Sequence, residues 1–307
     1  MSPPKSSESA VLNRILRRVW ISRNSGVKLG IGDDCAIFRP RGAAEDLLFT
    51  TDLLLEGVHF RRDTHSAEDI GYKALARGLS DIAAMGGEPR FCLLSLAVPR
   101  WANRAWVDRF YRGFLQLAHR TGTPLAGGDL ARAARLACDV TVCGATTKNR
   151  ALLRSRARPG DHIYVSGLLG GSALGLAGAG GRARKRHLRP EPRLALGKFL
   201  RDHVRAHAAM DLSDGLSLDL RRMCLASGVS ARIETPPVFP GASLDQALHG
   251  GEDYELLFTV APRTHPPHDF EGVPLTRVGA ITAGRAGSIL LNGKPLAPLG
   301  FDHFQNP

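Results

Sequence analysis

Five short stretches of this chain set aspartate beside glycine or a hydroxyl residue. They are Gly30-Ile31-Gly32-Asp33-Asp34, Thr50-Thr51-Asp52, Leu79-Ser80-Asp81, Gly127-Gly128-Asp129 and Asp211-Leu212-Ser213-Asp214-Gly215. Burying a carboxylate in apolar surroundings is costly unless a cation or hydrogen-bond donors meet it. Any fold this chain adopts must therefore bring positive charge to its acids. The constraint is sharpest at Thr50-Thr51-Asp52, which interrupts the apolar run Leu47 to Leu55, read as a buried strand. Period two puts Thr50 and Asp52 on one face and Thr51 on the other, so a cation is expected beside Asp52.

At 307 residues the chain can build two domains. No apolar run nears the ~20 residues that span a bilayer, and Met1 to Glu8 lacks an apolar signal core. A cytoplasmic protein without membrane association is the expectation. The five cysteines include no Cys-x-x-Cys pair, which argues against zinc and for packing in a reducing compartment. A net charge of +12 invites a nucleic-acid reading. The dense run Arg182 to Arg186 carries no interleaved aromatics to stack bases, so no nucleic-acid partner is expected. That run reads as a solvated loop between Gly-rich and Pro-containing segments.

Hydrophobic spacing predicts an amphipathic helix over Ser9 to Trp20 and a strand over Leu47 to Leu55. It then predicts a helix capped by Ser66 through Met85, a strand from Arg90 to Val98, a helix from Asn103 to Thr121 and a strand from Leu136 to Ala145. The texture changes near Arg154 to Asp161, where a second unit opens with a strand at His162 to Ser166. A loose helix and loop are expected within Gly170 to Gly181, and helices at Arg193 to His207 and Gly215 to Ser227. Strands are expected at Val229 to Ile233, Tyr254 to Val260 and Thr276 to Ile281. The class is α/β, with domains at 1–148 and 149–307.

The acids suit hard divalent cations, and Mg²⁺ usually arrives with a nucleotide's phosphates. Gly30 to Asp34 reads as a turn between strands whose adjacent carboxylates repel unless compensated. Lys73, Arg77 and Asp81 fall on one helical stripe, and the flanking apolar residues bury its far end. Paired glycines before Asp129 allow close approach by a ligand. Asp211 to Gly215 stands before a helix, where free N–H groups favour phosphate and Ser213 is a candidate cap. Gly250-Gly251-Glu252-Asp253-Tyr254-Glu255 adds further acids before a strand. His59 taken by itself is an ordinary residue. There is no P-loop, protein-kinase motif set or Gly-x-Ser-x-Gly elbow.

In order and spacing these motifs resemble the thiamine-monophosphate kinase family. The matching stretches are Gly30–Ala36, Thr50–Phe60, Tyr72–Gly87, Gly127–Asp129, Arg154–Asp161, Asp211–Leu220, Gly250–Phe258 and the closing Gly300-Phe301-Asp302-His303-Phe304. The resemblance implies a two-domain aminoimidazole ribonucleotide synthetase-like fold, with a mixed-sheet N-terminal domain and an α/β C-terminal domain, in a homodimer. It implies transfer of the γ-phosphoryl of ATP to thiamine phosphate. By motif position, Asp34, Thr50, Thr51, Asp52, Asp81, Asp129, Asp211 and Asp214 would ligate Mg²⁺. Gly128, Asp129, Arg154 and Ser213 would contact ATP, and His59, Glu252 and Phe301 would contact thiamine phosphate. Leu130 departs from the family's usual hydroxyl residue, and Arg156-Ala157-Arg158 is more basic than usual. The acceptor is an already ionised phosphate, so direct in-line transfer is expected without a general base or a phosphoenzyme.

Overall fold

The structure is a computed structural model that describes residues 8–22, 24–301 and 303–304. The first seven residues and Asp302 therefore lie outside the described residues. The N-terminal half runs α1 (Glu8–Leu16), β1 (Val27–Leu29), β2 (Ala36–Phe38), β3 (Glu45–Leu55), α2 (Ala67–Ala84), β4 (Glu88–Val98), α3 (Arg104–Thr121), β5 (Leu125–Arg132) and β6 (Ala137–Thr147). Its strands form one six-stranded sheet in the order β1-β2-β3-β6-β4-β5, antiparallel except where β5 runs parallel to β4.

The C-terminal half runs β7 (His162–Ser166), α4 (Gly171–Leu176), α5 (Gly181–Leu188), α6 (Leu194–Phe199), β8 (Ala208–Asp211), α7 (Leu216–Ser227), β9 (Ser230–Ile233), α8 (Leu244–His249), β10 (Leu256–Val260), β11 (Asp269–Phe270), β12 (Val273–Thr282), β13 (Ile289–Leu291) and β14 (Lys294–Pro295). Its eight-stranded sheet has the order β14-β13-β9-β12-β7-β10-β8, with β11 paired to β12. Among the described residues no helix is long and apolar enough to cross a membrane.

Helix α2 is the central element. Ser66 accepts from the Asp69 N–H and the Asp69 carboxylate reaches back to Ser66, a capping box that fixes the start of the helix. The α2 helix lies on β3, β4 and β6, and α3 packs over it. The two helices approach closely because each sets a glycine against the other's backbone. A Cβ on Gly71 would sit 2.0 Å from the Phe110 carbonyl, and one on Gly113 would sit 1.9 Å from that of Glu68. The far end of α2 meets the second half, where Ala83 and Ala84 join Leu196, Leu200 and Phe258 in one core cluster. The opposite face of the first sheet is open, with Leu53 50% and Leu93 38% exposed.

Two local expectations are corrected, for the basic run and for Ser213, and one glycine gains a packing role. The basic run Arg182 to Arg186 is not a loop but the body of α5. Gly127-Gly128-Asp129 lies within strand β5, where Gly128 has φ +151° and a Cβ would come 1.8 Å from the Leu94 carbonyl. That glycine is required by strand packing whatever binds nearby. Ser213 does not cap α7. The N-cap is Gly215 without a side-chain bond, and the Asp219 carboxylate accepts from the N–H groups of Asp214 and Gly215 instead.

Candidate active site

Four side chains project from α2 at 73, 77, 80 and 81, and each meets an acid or hydroxyl group of another segment. The Lys73 ammonium bonds Glu252 at 2.8 Å, and the Arg77 guanidinium bonds Asp52 at 3.0 Å. Ser80 donates to Asp211 at 2.7 Å, and Thr50 donates to Asp81 at 2.5 Å. Arg77 is the cation expected beside Asp52. The periodicity of one helix thus draws the acids of both halves to a single place.

Carboxylate oxygens of Asp34, Asp81 and Asp211 lie within 4.8 Å of one another. Asp34 comes from the β1–β2 turn, Asp81 from α2 and Asp211 from the end of β8. Burial, then Asp52 and Asp211, hold the Asp81 carboxyl well above the usual carboxylate range. Burial and Asp34 do the same to Asp211. One Asp34 oxygen is buried with no hydrogen-bond partner. Oxygen donors, mutual repulsion and an unpartnered carboxylate oxygen fit a hard divalent cation, which would relieve the last two.

Arginines flank this cluster. Arg154 pairs with Asp34 and lies 3.4 Å from Asp33, whose carboxyl is raised to about 7 by burial and by Asp34. Arg222 pairs with Asp214 and, at 2.9 Å, with Asp219. Burial is the largest influence on Asp219 and raises its carboxyl to about 7.

A cleft of about 410 Å³ opens beside the acids, lined by Asp52, His59 and Asp81 from the N-terminal half and by Asp211, Glu252 and Phe301 from the C-terminal half. Ser213 and Asp214 also reach it. His59 Nδ1 accepts the Leu55 N–H at 3.0 Å, which leaves the proton on Nε2, a buried atom with no partner. Burial, with Arg77 next, depresses the His59 pKa to about 3, so the ring is neutral. Burial disfavours a charged Glu252, but Lys73 and His187 outweigh it and hold the carboxyl well below its usual range. Glu252 and Tyr254 both have positive φ, 65° and 50°, a conformation rare outside glycine. Their N–H groups bond the carbonyls of Ser213 and Leu212, which zips the Gly250–Glu255 segment onto the Asp211–Gly215 segment.

The structure brings together Asp34, Thr50, Asp52, Asp81, Asp211, Asp214 and Ser213, with Arg154 at the edge and His59, Glu252 and Phe301 across the cleft. It does not bring in the side chains of Thr51 or Asp129 within one chain. Thr51 bonds Asp139 at 2.7 Å, and Asp129 shares a row with Ser95, Asp139 and Leu53, on the open face of the sheet. Arg222, Asp219 and His187 were not singled out from the sequence. The spacing of Asp219 and Arg222, three apart on a predicted helix, was the available signal.

A family described as AIR synthase related protein, N-terminal domain, matches residues 32–146, and its C-terminal domain counterpart matches 158–291. The fold and the acid-lined cleft thus define an AIR synthase-related protein. Thiamine-monophosphate kinase of Escherichia coli (strain K12) is 40% identical, over 98% of this chain and 99% of that protein. The solved structure of AaThiL complexed with AMPPCP and TMP superposes with a TM-score of 0.86 at 32% identity, covering 99% of each chain. Thiamine-monophosphate kinase from Stenotrophomonas maltophilia K279a gives 0.77 at 38% identity, covering 94% of this chain and 98% of that one. The chain belongs to the thiamine-monophosphate kinase family.

Proposed function

We propose that this enzyme transfers the γ-phosphoryl group of ATP to thiamine phosphate, giving thiamine diphosphate and ADP, in the cytoplasm and as a homodimer. The observation that carries the reading is the convergence of Asp34, Asp81 and Asp211 on one point beside a cleft whose far wall is His59, Glu252 and Phe301. Relatives named for this activity, and a neighbour complexed with AMPPCP and TMP, support it. An oxygen of the acceptor phosphate attacks the γ-phosphorus as the bond to the β-phosphate oxygen breaks. No proton has to be removed from an ionised phosphate, so no general base is required.

Asp34, Asp81 and Asp211, with Thr50, Asp52 and Asp214 around them, are the residues that would hold Mg²⁺. The bound cation would neutralise charge on the polyphosphate oxygens. Arg154 and Ser213 would orient the nucleotide at the edge of the cluster. His59 presents a neutral Nε2–H suited to a phosphate oxygen, and Glu252 presents a fixed carboxylate to the ring end of the acceptor. Residues 1–148 and 149–307 are the two domains of this reading. Thr51, Gly128 and Asp129 belong to it through the open sheet face, which a second copy would cover. A coupled ADP-release assay with Mg·ATP and thiamine phosphate tests the reading. Wild-type turnover that is lost in Asp52→Asn and Asp214→Asn is the expected result, and a wild type inert toward thiamine phosphate would refute it.

A further inference from the structure

A buried cation stands behind the His59 and Glu252 wall of the cleft. The Lys73 side chain is 0% exposed, although it ends in an ammonium. Its Nζ donates to Glu252 at 2.8 Å and to the His59 carbonyl at 3.2 Å. These are two of the three residues assigned above to the acceptor, and one comes from each half of the chain. The Glu252 carboxylate is held on another side by His187 Nδ1 at 3.2 Å, whose ring also meets Ser172 Oγ at 3.1 Å. The Glu252 backbone is in turn fixed by its bond to the Ser213 carbonyl at 2.7 Å.

A buried ion pair is weak support for stability, because apolar packing of similar volume often does as well. Its effect lies in what it holds still. Glu252 keeps 23% of its side chain exposed, so the carboxylate is anchored from behind and open to the cleft in front. Without the ammonium, that carboxylate has no full cation bonded to it among the described contacts. The chain around His59 would also lose a bond that ties it to α2.

We propose that Lys73 is the positioning residue of the acceptor pocket, fixing the Glu252 carboxylate and the His59 turn relative to each other so that the two halves close on one acceptor. This rests on the reading of thiamine phosphate as acceptor. The test is steady-state kinetics of Lys73→Met, with both substrates varied. The KM for thiamine phosphate rises about tenfold or more, kcat falls less, and the KM for ATP stays within about twofold. Lys73→Arg, which keeps the charge, recovers part of the loss. Because Lys73→Met alone leaves the Glu252 carboxylate without its cation, Lys73→Met/Glu252→Gln is measured beside it. The double variant regains thermal stability while its KM for thiamine phosphate remains high. A wild-type KM for thiamine phosphate in a folded variant, or equal rises for both substrates, overturns the proposal. A wild type that does not turn over thiamine phosphate overturns the functional reading instead, so the two failures are distinct.

Discussion

Among single residues, Asp81 shows how the site trades stability for chemistry. Its carboxyl is buried and faces Asp52 and Asp211, so it is strained in the folded chain without a cation. Asp81→Asn keeps an acceptor for Thr50 and removes the repulsion. The variant should be more stable without metal, by about 1–2 kcal/mol, while turnover falls by two or more orders of magnitude. Calorimetric unfolding and the ADP-release assay check the two halves of this expectation, and a less stable variant would contradict the strain argument. His59, held neutral with a pKa of about 3, predicts that the activity profile has no limb near pH 6.5 that disappears in His59→Gln. The sequence disclosed much at this scale. An aspartate inside an apolar strand demanded a cation, and Arg77 meets it at 3.0 Å. Arg222 stayed hidden because one arginine on a helix reads as surface until the loop that folds back beside it is known.

For the elements, prediction from spacing succeeded where a segment carries both its period and its own ends. Helix α2 has Ser66 with a capping box, and α3 has Asn103 at one end and Gly122, with φ +63°, at the other. Helix α5 lacks the end signals. Its N-cap is Gly180 without a side-chain bond, and its body, Arg-Ala-Arg-Lys-Arg, is made of good helix formers of which only Ala183 is buried, a charge run that also suits a solvated loop. Its neighbours fix its place: Arg186 pairs with Glu255, and His187 meets Ser172. Strand β8, Ala208–Asp211, is too short and too poor in branched residues to announce itself. Two predictions belong here. Gly113→Ala drives a Cβ to 1.9 Å from the Glu68 carbonyl, forcing α2 and α3 apart at a cost of about 1–3 kcal/mol in denaturant unfolding. Glu255→Gln leaves Arg186 and Arg193 without their shared acid, which costs about 3–5 kcal/mol measured the same way. An unchanged midpoint in either variant would mean that the contact carries no energy.

At the scale of the whole molecule, the halves share α2 and the cleft, and one face of the first sheet is open. Leu93→Arg on that face should convert a dimer to a monomer in sedimentation velocity, whereas a wild-type monomer would refute the proposed dimer. Acid should loosen the whole fold through His65, which burial first, then Lys73 and His187, depress to about 4. The unfolded ring takes a proton near pH 6.5 and the folded one does not, so stability is lost as the pH falls from about 6.5 toward 4. The His65 contribution to that loss is about 2 kcal/mol at pH 5. A melting curve for His65→Gln with the wild-type acid slope would refute it. The sheet of the first half was legible because strands and helices alternate there, but the seam between halves was not, since it is written in contacts more than a hundred residues apart, such as Lys73 with Glu252 and Ser80 with Asp211. The stripe along α2 has one more consequence. Lys73, bonded to Glu252, and Asp81, in the acid cluster, stand eight residues apart, which is ~12 Å along the helix axis. The helix is therefore a ruler of fixed length, which holds the Glu252 carboxylate and the acid cluster at a set spacing whatever lies in the cleft between them.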